Sequence, residues 1–131
     1  MPQPGKIRVM VVDDEKVIAD TLALILRAAG YATSASYSAT EALDAFPEFC
    51  PDLVLSDVML GDGNGLELGI RFHQARPECR ILLFSGAVTE AELRRMSPEG
   101  SAFEFLSKPV HPKALIACIR SLFDATHLAS A

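Results

Sequence analysis

The chain has 131 residues, half of them apolar and about a fifth charged, with a formal net charge of −5. This is the size and composition of one domain with its own core, needing no disulfide or structural metal to hold it. The acidic balance argues against a surface for nucleic acid or membrane, the opening MPQPGK has no apolar signal core, and no apolar run approaches the roughly 18 residues of a span. Cys50, Cys79 and Cys118 are odd in number and widely spaced, which points to free thiols in a reducing cytoplasm rather than a zinc or disulfide framework.

Elements alternate along the chain. Ile7 to Val12 is a nearly continuous apolar run stopping at Asp13, as a strand buried on both faces should. Ile18, Leu22, Ile25, Leu26 and Ala29 then form a helical stripe closed by Gly30. Thr33 to Tyr37 is a polar strand suited to a sheet edge, and Ala39 to Phe46 a short helix with Pro47 near its end. Leu53 to Leu55 is the third strand, running into Ser56-Asp57. A glycine-rich loop, Gly61 to Gly65, leads to a helix from about Leu66 to Ala75.

Ile81 to Phe84 is the fourth strand, ending at Ser85-Gly86. Thr89 and Glu92 are spaced as a capping box for a helix poor in apolar residues, with Pro98 near its end. Phe103 to Leu106 is the fifth strand. The last helix starts near His111-Pro112, carries Leu115, Ile116, Ile119, Leu122 and Phe123 on one stripe, and is expected to end at Asp124. The domain is therefore placed at residues 6–124, with tails at 1–5 and 125–131.

Five strand–helix units imply a parallel sheet covered on both faces, an α/β doubly wound (βα)₅ fold. Ligands in such folds sit at the carboxyl ends of the strands. There stand Asp13 and Asp14 after strand one, Asp57 after strand three, Ser85 after strand four and Lys108 before Pro109 after strand five. Taken singly, each is an ordinary turn or surface residue. Together they are the parts of a phosphoryl-transfer site. Three carboxylates brought close repel one another and call for a cation. Mg²⁺ suits few carboxylates plus phosphoryl oxygens. An Asp can accept a phosphoryl group, a lysine can neutralise it, and a serine can donate to it.

An EF-hand loop at Asp62 to Gly65 fails because Leu66 stands where an oxygen ligand belongs. A flavin binder would want a phosphate-friendly first loop, not Asp13-Asp14-Glu15. A haloacid-dehalogenase-type phosphatase would need an acid where Met59 stands. His73, His111 and His127 lie far from the acids in sequence and are expected at the surface or at helix ends.

On Val-Val-Asp13-Asp14-Glu15, Asp57-Val-Met-Leu, Asn64-Gly65-Leu-Glu67, Ser85-Gly86 and Lys108-Pro109, the chain resembles the response-regulator receiver domain from about Lys6 to Asp124. The resemblance implies a flavodoxin-like five-stranded parallel sheet of order 2-1-3-4-5. It implies that Asp57 is the phosphoacceptor and that Asp13, Asp14, Asp57 and the backbone carbonyl of Met59 hold Mg²⁺. It further implies that Ser85 is the switch hydroxyl, Lys108 the phosphoryl-pairing lysine, Phe105 the rotameric aromatic, and Lys108–Pro109 a cis bond.

Such a domain is not an enzyme beyond its own phosphorylation and dephosphorylation. Its implied partners are a sensor histidine kinase or phosphotransfer protein, and an output partner on the face of the fourth helix, fifth strand and fifth helix. That output partner could instead be covalent, if the reading frame is longer. The alternative is a receiver-fold interaction or dimerisation module that works without phosphorylation. Gly61 replaces the family's usual proline, predicting a looser loop, and Gly86 replaces the commoner alanine.

Overall fold

In a computed structural model, residues 5–96 and 103–130 are described; the expected Pro98 irregularity lies outside them. The chain order is β1 (Arg8–Val12), α1 (Lys16–Ala28), β2 (Ala32–Ser36), α2 (Ala39–Phe49), β3 (Leu53–Asp57), β4 (Met59–Leu60), β5 (Gly63–Asn64), α3 (Gly65–Ala75), β6 (Arg80–Ser85), α4 (Glu90–Met96), β7 (Glu104–Ser107) and α5 (Pro112–Ser130). Five strands form one sheet in the order β2-β1-β3-β6-β7, with every pairing parallel. With the short β4–β5 hairpin set aside, this is the expected 2-1-3-4-5.

Side chains alternate across a strand, so each strand feeds two cores. Val9, Val11, Leu53, Leu55, Leu82 and Phe84 pack with Leu22 and Leu26 of α1 and Leu115 and Ile119 of α5. Met10, Val12, Val54, Ile81 and Leu83 pack with α2, α3 and Leu93 of α4, where the Phe46 and Phe72 rings stack at 4.1 Å. The same alternation aims the functional ends. Asp13 and Asp57 continue the parity of Val11 and Leu55, and Ser85 continues that of Leu83. Phe105, opposite Leu83 in register, joins the Leu83 side.

Strand ends shift by a residue, with β2 at Ala32–Ser36 and β7 at Glu104–Ser107, and three features depart further from expectation. Pro47 lies inside the last turn of α2 rather than ending it; the helix closes when Cys50, donating to Phe46 O at 2.9 Å, turns left-handed at φ 54°. A proline removes its own N–H bond and crowds the carbonyl four residues back, but so near the helix end the following bonds, Cys50 N to Phe46 O among them, still complete the turn. The Gly61–Gly65 segment is not a loose loop but a two-stranded hairpin, with Met59 paired to Asn64 and Leu60 to Gly63. Finally, α5 runs to Ser130, so most of the segment read as a tail after Asp124 is helical. Residues 125–130 hold no glycine or proline and include good helix formers.

Other details follow the sequence. The polar β2 is an edge strand, Gly30 follows α1 at φ 104°, and Thr89 and Glu92 make the reciprocal capping box. Among the described residues no helix is long and apolar enough to cross a membrane. The three cysteines are free; burial pushes the Cys79 thiol up to about 12, so it stays protonated.

Candidate functional site

The strand ends converge as the order requires. One carboxylate oxygen each of Asp13, Asp14 and Asp57 lies within 4.8 Å of the others. Asp13 is fully buried, Asp57 nearly so, and Asp14 exposed, giving the pocket a dry floor and a wet rim. Lys108 Nζ reaches in from the β7–α5 connection, 2.8 Å from Asp57 Oδ2 and 3.4 Å from Asp13 Oδ2. The same ammonium sits 5.0 Å from the Phe84 ring centroid, which adds a cation–π contact.

Each group is oriented by backbone. Asp13 N–H donates to Ser36 O at 3.1 Å, and Asp13 Oδ1 accepts from Glu15 N at 2.9 Å. Asp57 Oδ1 accepts from Met59 N at 3.1 Å, leaving Oδ2 to Lys108. Lys108 N donates to Ser85 O at 2.9 Å, and Lys108–Pro109 is cis. Burial pushes the Asp13 carboxyl above its ordinary range, more than the Glu15 amide and Lys108 hold it down. For Lys108 burial acts downward, but the hydrogen bond and charge of Asp57, with Asp13 added, together raise its affinity for the proton.

Ser85 is buried, and its Oγ accepts from Ala87 N and Val88 N, each at 3.0 Å. Phe105 is half-buried against the α4-side core. An alanine Cβ at Gly86 would come no nearer than 3.4 Å to Lys108 Cβ, so alanine is only slightly tight there. His73 and His111 are exposed, as expected; the side chain of His127 lies outside the described residues.

Local sequence leaves open how the hairpin is held. Asp62, weighed only as a failed calcium ligand, accepts from Ala39 N at 2.8 Å and from Thr40 N and Oγ1 at 3.0 and 2.8 Å. Its signal was present but ambiguous: an acid between two glycines is a capping residue only if a helix start lies opposite. Tyr37 OH donates to Asp20 Oδ1 at 2.5 Å, a contact seventeen residues apart that no local pattern marks.

The model of the response regulator receiver domain matches residues 9–120. The chain belongs to that family. This receiver is 33% identical, over 87% of its own length, to the DNA-binding response regulator MtrA of Mycolicibacterium paratuberculosis and to that of Mycobacterium leprae. It spans about half the length of those curated relatives. Among solved structures it is similar to a CheY-like receiver domain protein from Methanospirillum hungatei, with TM-score 0.86 and 27% identity over 95% of this chain and 99% of that one. It also matches the signal receiver domain of an HD domain-containing protein from Pseudomonas fluorescens, with TM-score 0.83 and 25% identity over 99% and 96%. The receiver is a signalling domain of two-component regulation.

Proposed function

We propose that this receiver takes a phosphoryl group on Asp57 from a histidine kinase or phosphotransfer protein in a Mg²⁺-dependent reaction, and thereby changes its output face. The observation that carries the reading is Lys108 Nζ at 2.8 Å from Asp57 Oδ2 beside a cluster of three carboxylates. A structural ion pair needs one acid; a site for a cation and a phosphoryl group explains three.

The donor set fits Mg²⁺. It consists of hard oxygens, few in number, with an exposed member, Asp14, that leaves room for water. Asp13, Asp14, Asp57 and the Met59 carbonyl would hold the ion, which when bound neutralises phosphoryl oxygens. Asp57 supplies the attacking carboxylate oxygen: an O–P bond forms as the donor's bond to phosphorus breaks. Met59 N–H fixes the plane of the Asp57 carboxylate, and Lys108 is already in place to pair with the incoming charge. Ser85 then donates to a phosphoryl oxygen, and Phe105 turns toward the space it leaves.

For the donor protein, the pocket is bordered by an apolar groove of about 430 Å³ lined by Ile18, Leu22, Phe84, Lys108, Pro109 and Val110. Val17 is 78% exposed on the neighbouring turn of α1. The output face is that of α4, β7 and α5, and this acidic domain is read as making no direct contact with nucleic acid or membrane and as working in the cytoplasm. DNA binding, in the relatives' name, would reside in a further segment.

Incubation with Mg²⁺ and acetyl phosphate should add one phosphoryl mass, labile to hydroxylamine and mapped to Asp57, and absent in Asp57→Asn or in EDTA. Stable label on Ser85 or a histidine would sink the assignment. A companion result is expected in thermal unfolding. Mg²⁺ at a hundred times its Kd should add about 2.7 kcal/mol. Asp14→Asn should blunt that gain while leaving the metal-free protein at least as stable. A melting temperature indifferent to Mg²⁺ in the parent protein would remove the metal from the reading.

A further inference from the structure

The hairpin that follows Asp57 has two-residue strands, too short to hold themselves, and exposed glycines on either side of Asp62, Gly61 in the turn and Gly63 opening β5. Leu60 fastens one side of it in the core. The other fastening is Asp62, whose Oδ1 accepts from Ala39 N and whose Oδ2 accepts from Thr40 N and Oγ1, all in the first turn of α2. These donors hold the Asp62 carboxyl below its usual range.

Helix α2 has a cap of its own in Ser38, whose Oγ accepts from Glu41 N at 3.0 Å, so Asp62 adds to that cap rather than supplying it. The three bonds of Asp62 also tie the hairpin to the helix. What they anchor begins at Met59, whose N–H holds Asp57 Oδ1 and whose pairing partner across the hairpin is Asn64.

We propose that Asp62 is a positioning residue for the metal pocket: by tying the hairpin tip to the start of α2, it holds the Met59 peptide where it can orient Asp57 and offer its carbonyl to Mg²⁺. This rests on the metal reading given above. Asp62 touches neither ion nor phosphoryl group; it acts through three residues of hairpin. Outer groups that hold metal ligands in place commonly govern affinity by about tenfold or more.

The test is calorimetric titration of the full chain with Mg²⁺ in the parent protein, Asp62→Ala and Ser38→Ala, with the amide signal of Met59 followed by NMR. Asp62→Ala should weaken Mg²⁺ binding roughly tenfold and move the Met59 amide before any metal is added. Ser38→Ala, which uncaps the same helix without releasing the hairpin, should lower the melting temperature yet bind Mg²⁺ as the parent does. Asp62→Asn, which keeps the acceptor toward Ala39 alone, should fall between, and it serves if the alanine variant fails to fold. Acetyl phosphate labelling of Asp62→Ala should recover at saturating Mg²⁺.

Equal Mg²⁺ affinity in the parent and in Asp62→Ala would overturn the proposal while leaving the metal reading intact. An equal loss in Asp62→Ala and Ser38→Ala would overturn it too, since a weakened α2 would then suffice. A deficit that vanishes in high salt would assign the effect to the long-range charge of Asp62, which salt screens, rather than to the anchor. A parent protein that binds no Mg²⁺ would bring down both readings together.

Discussion

Gly65→Ala is expected to cost more stability than alanine at any other glycine among the described residues, roughly 3 kcal/mol, at the upper end of what overpacking does. Gly65 opens α3 and lies flat against the end of β3, its N–H donating to Val58 O at 2.8 Å. A Cβ there would overlap the Asp57 carbonyl oxygen, and would stand 2.7 Å from Ser56 Oγ and 3.0 Å from the Asp57 carbonyl carbon. The obstacle is mostly backbone of a central strand paired on both sides, which has nowhere to go. Relief must come from pushing α3 away or tilting the Asp57 peptide, so Mg²⁺ binding should fall with stability.

Two other glycines calibrate the effect. At Gly69 a Cβ meets Ile81 Cγ2 at 2.8 Å and the Phe103 ring at 3.2 Å, side chains rather than backbone, and alanine improves the helix interior, so a real but smaller loss is expected. At Gly63 a Cβ meets only Ala39 Cβ at 3.5 Å, so alanine should stay within about 0.5 kcal/mol of the parent. Urea unfolding of the three variants checks the order. A Gly65→Ala midpoint equal to that of Gly63→Ala would mean that the α3–β3 contact is not tight.

The acids and the lysine were legible in the sequence because a parallel sheet puts every strand's carboxyl end on one edge, so position after a strand stands in for position in space. Asp13, Asp57 and Lys108 needed only that rule, and their meeting was expected. Period-two alternation likewise forecasts which core each strand residue joins. The hairpin was not legible. Gly61-Asp62-Gly63-Asn64-Gly65 carries turn chemistry throughout, and such runs say that the chain bends without saying what the bend leans on. Asp62 finds its partners in α2, some twenty residues earlier, and nothing local encodes that distance. Helix ends failed for a related reason. Pro47 and Asp124 look like stops, but a proline in a last turn leaves the bonds after it intact, and an exposed Asp in a helix without breakers ends nothing.

Ser85→Ala should uncouple phosphorylation from the output face while leaving phosphorylation itself in place. In the unphosphorylated receiver, Ser85 Oγ accepts two amides, Ala87 N and Val88 N, which fold the turn leading to α4 back on the end of β6. A phosphoryl oxygen on Asp57 offers the same hydroxyl a charged acceptor, worth roughly 1.5–3 kcal/mol against about 1 for each neutral bond. Swinging to it need not strand the amides, since Ala87 is exposed and water can replace the serine there. The two states are therefore close in energy. Set against one neutral bond the surplus is about 0.5–2 kcal/mol, which biases the turn by roughly two- to thirtyfold, a switch rather than a lock.

Because Phe105 lies on the same face of the sheet as Ser85, on the strand paired with β6, the vacated space is the one its ring can enter. Beryllofluoride with Mg²⁺ should shift the backbone amides of Ala87, Val88, Phe105 and α4 in the parent protein. In Ser85→Ala the ligand should still bind, reported by Asp57 and Met59, but the Phe105 and α4 shifts should shrink severalfold. Ser85→Thr, which keeps the hydroxyl, should restore them. Undiminished shifts in Ser85→Ala would take the coupling away from the hydroxyl and place it in the hairpin or in Lys108, both of which hydrogen-bond Asp57 directly.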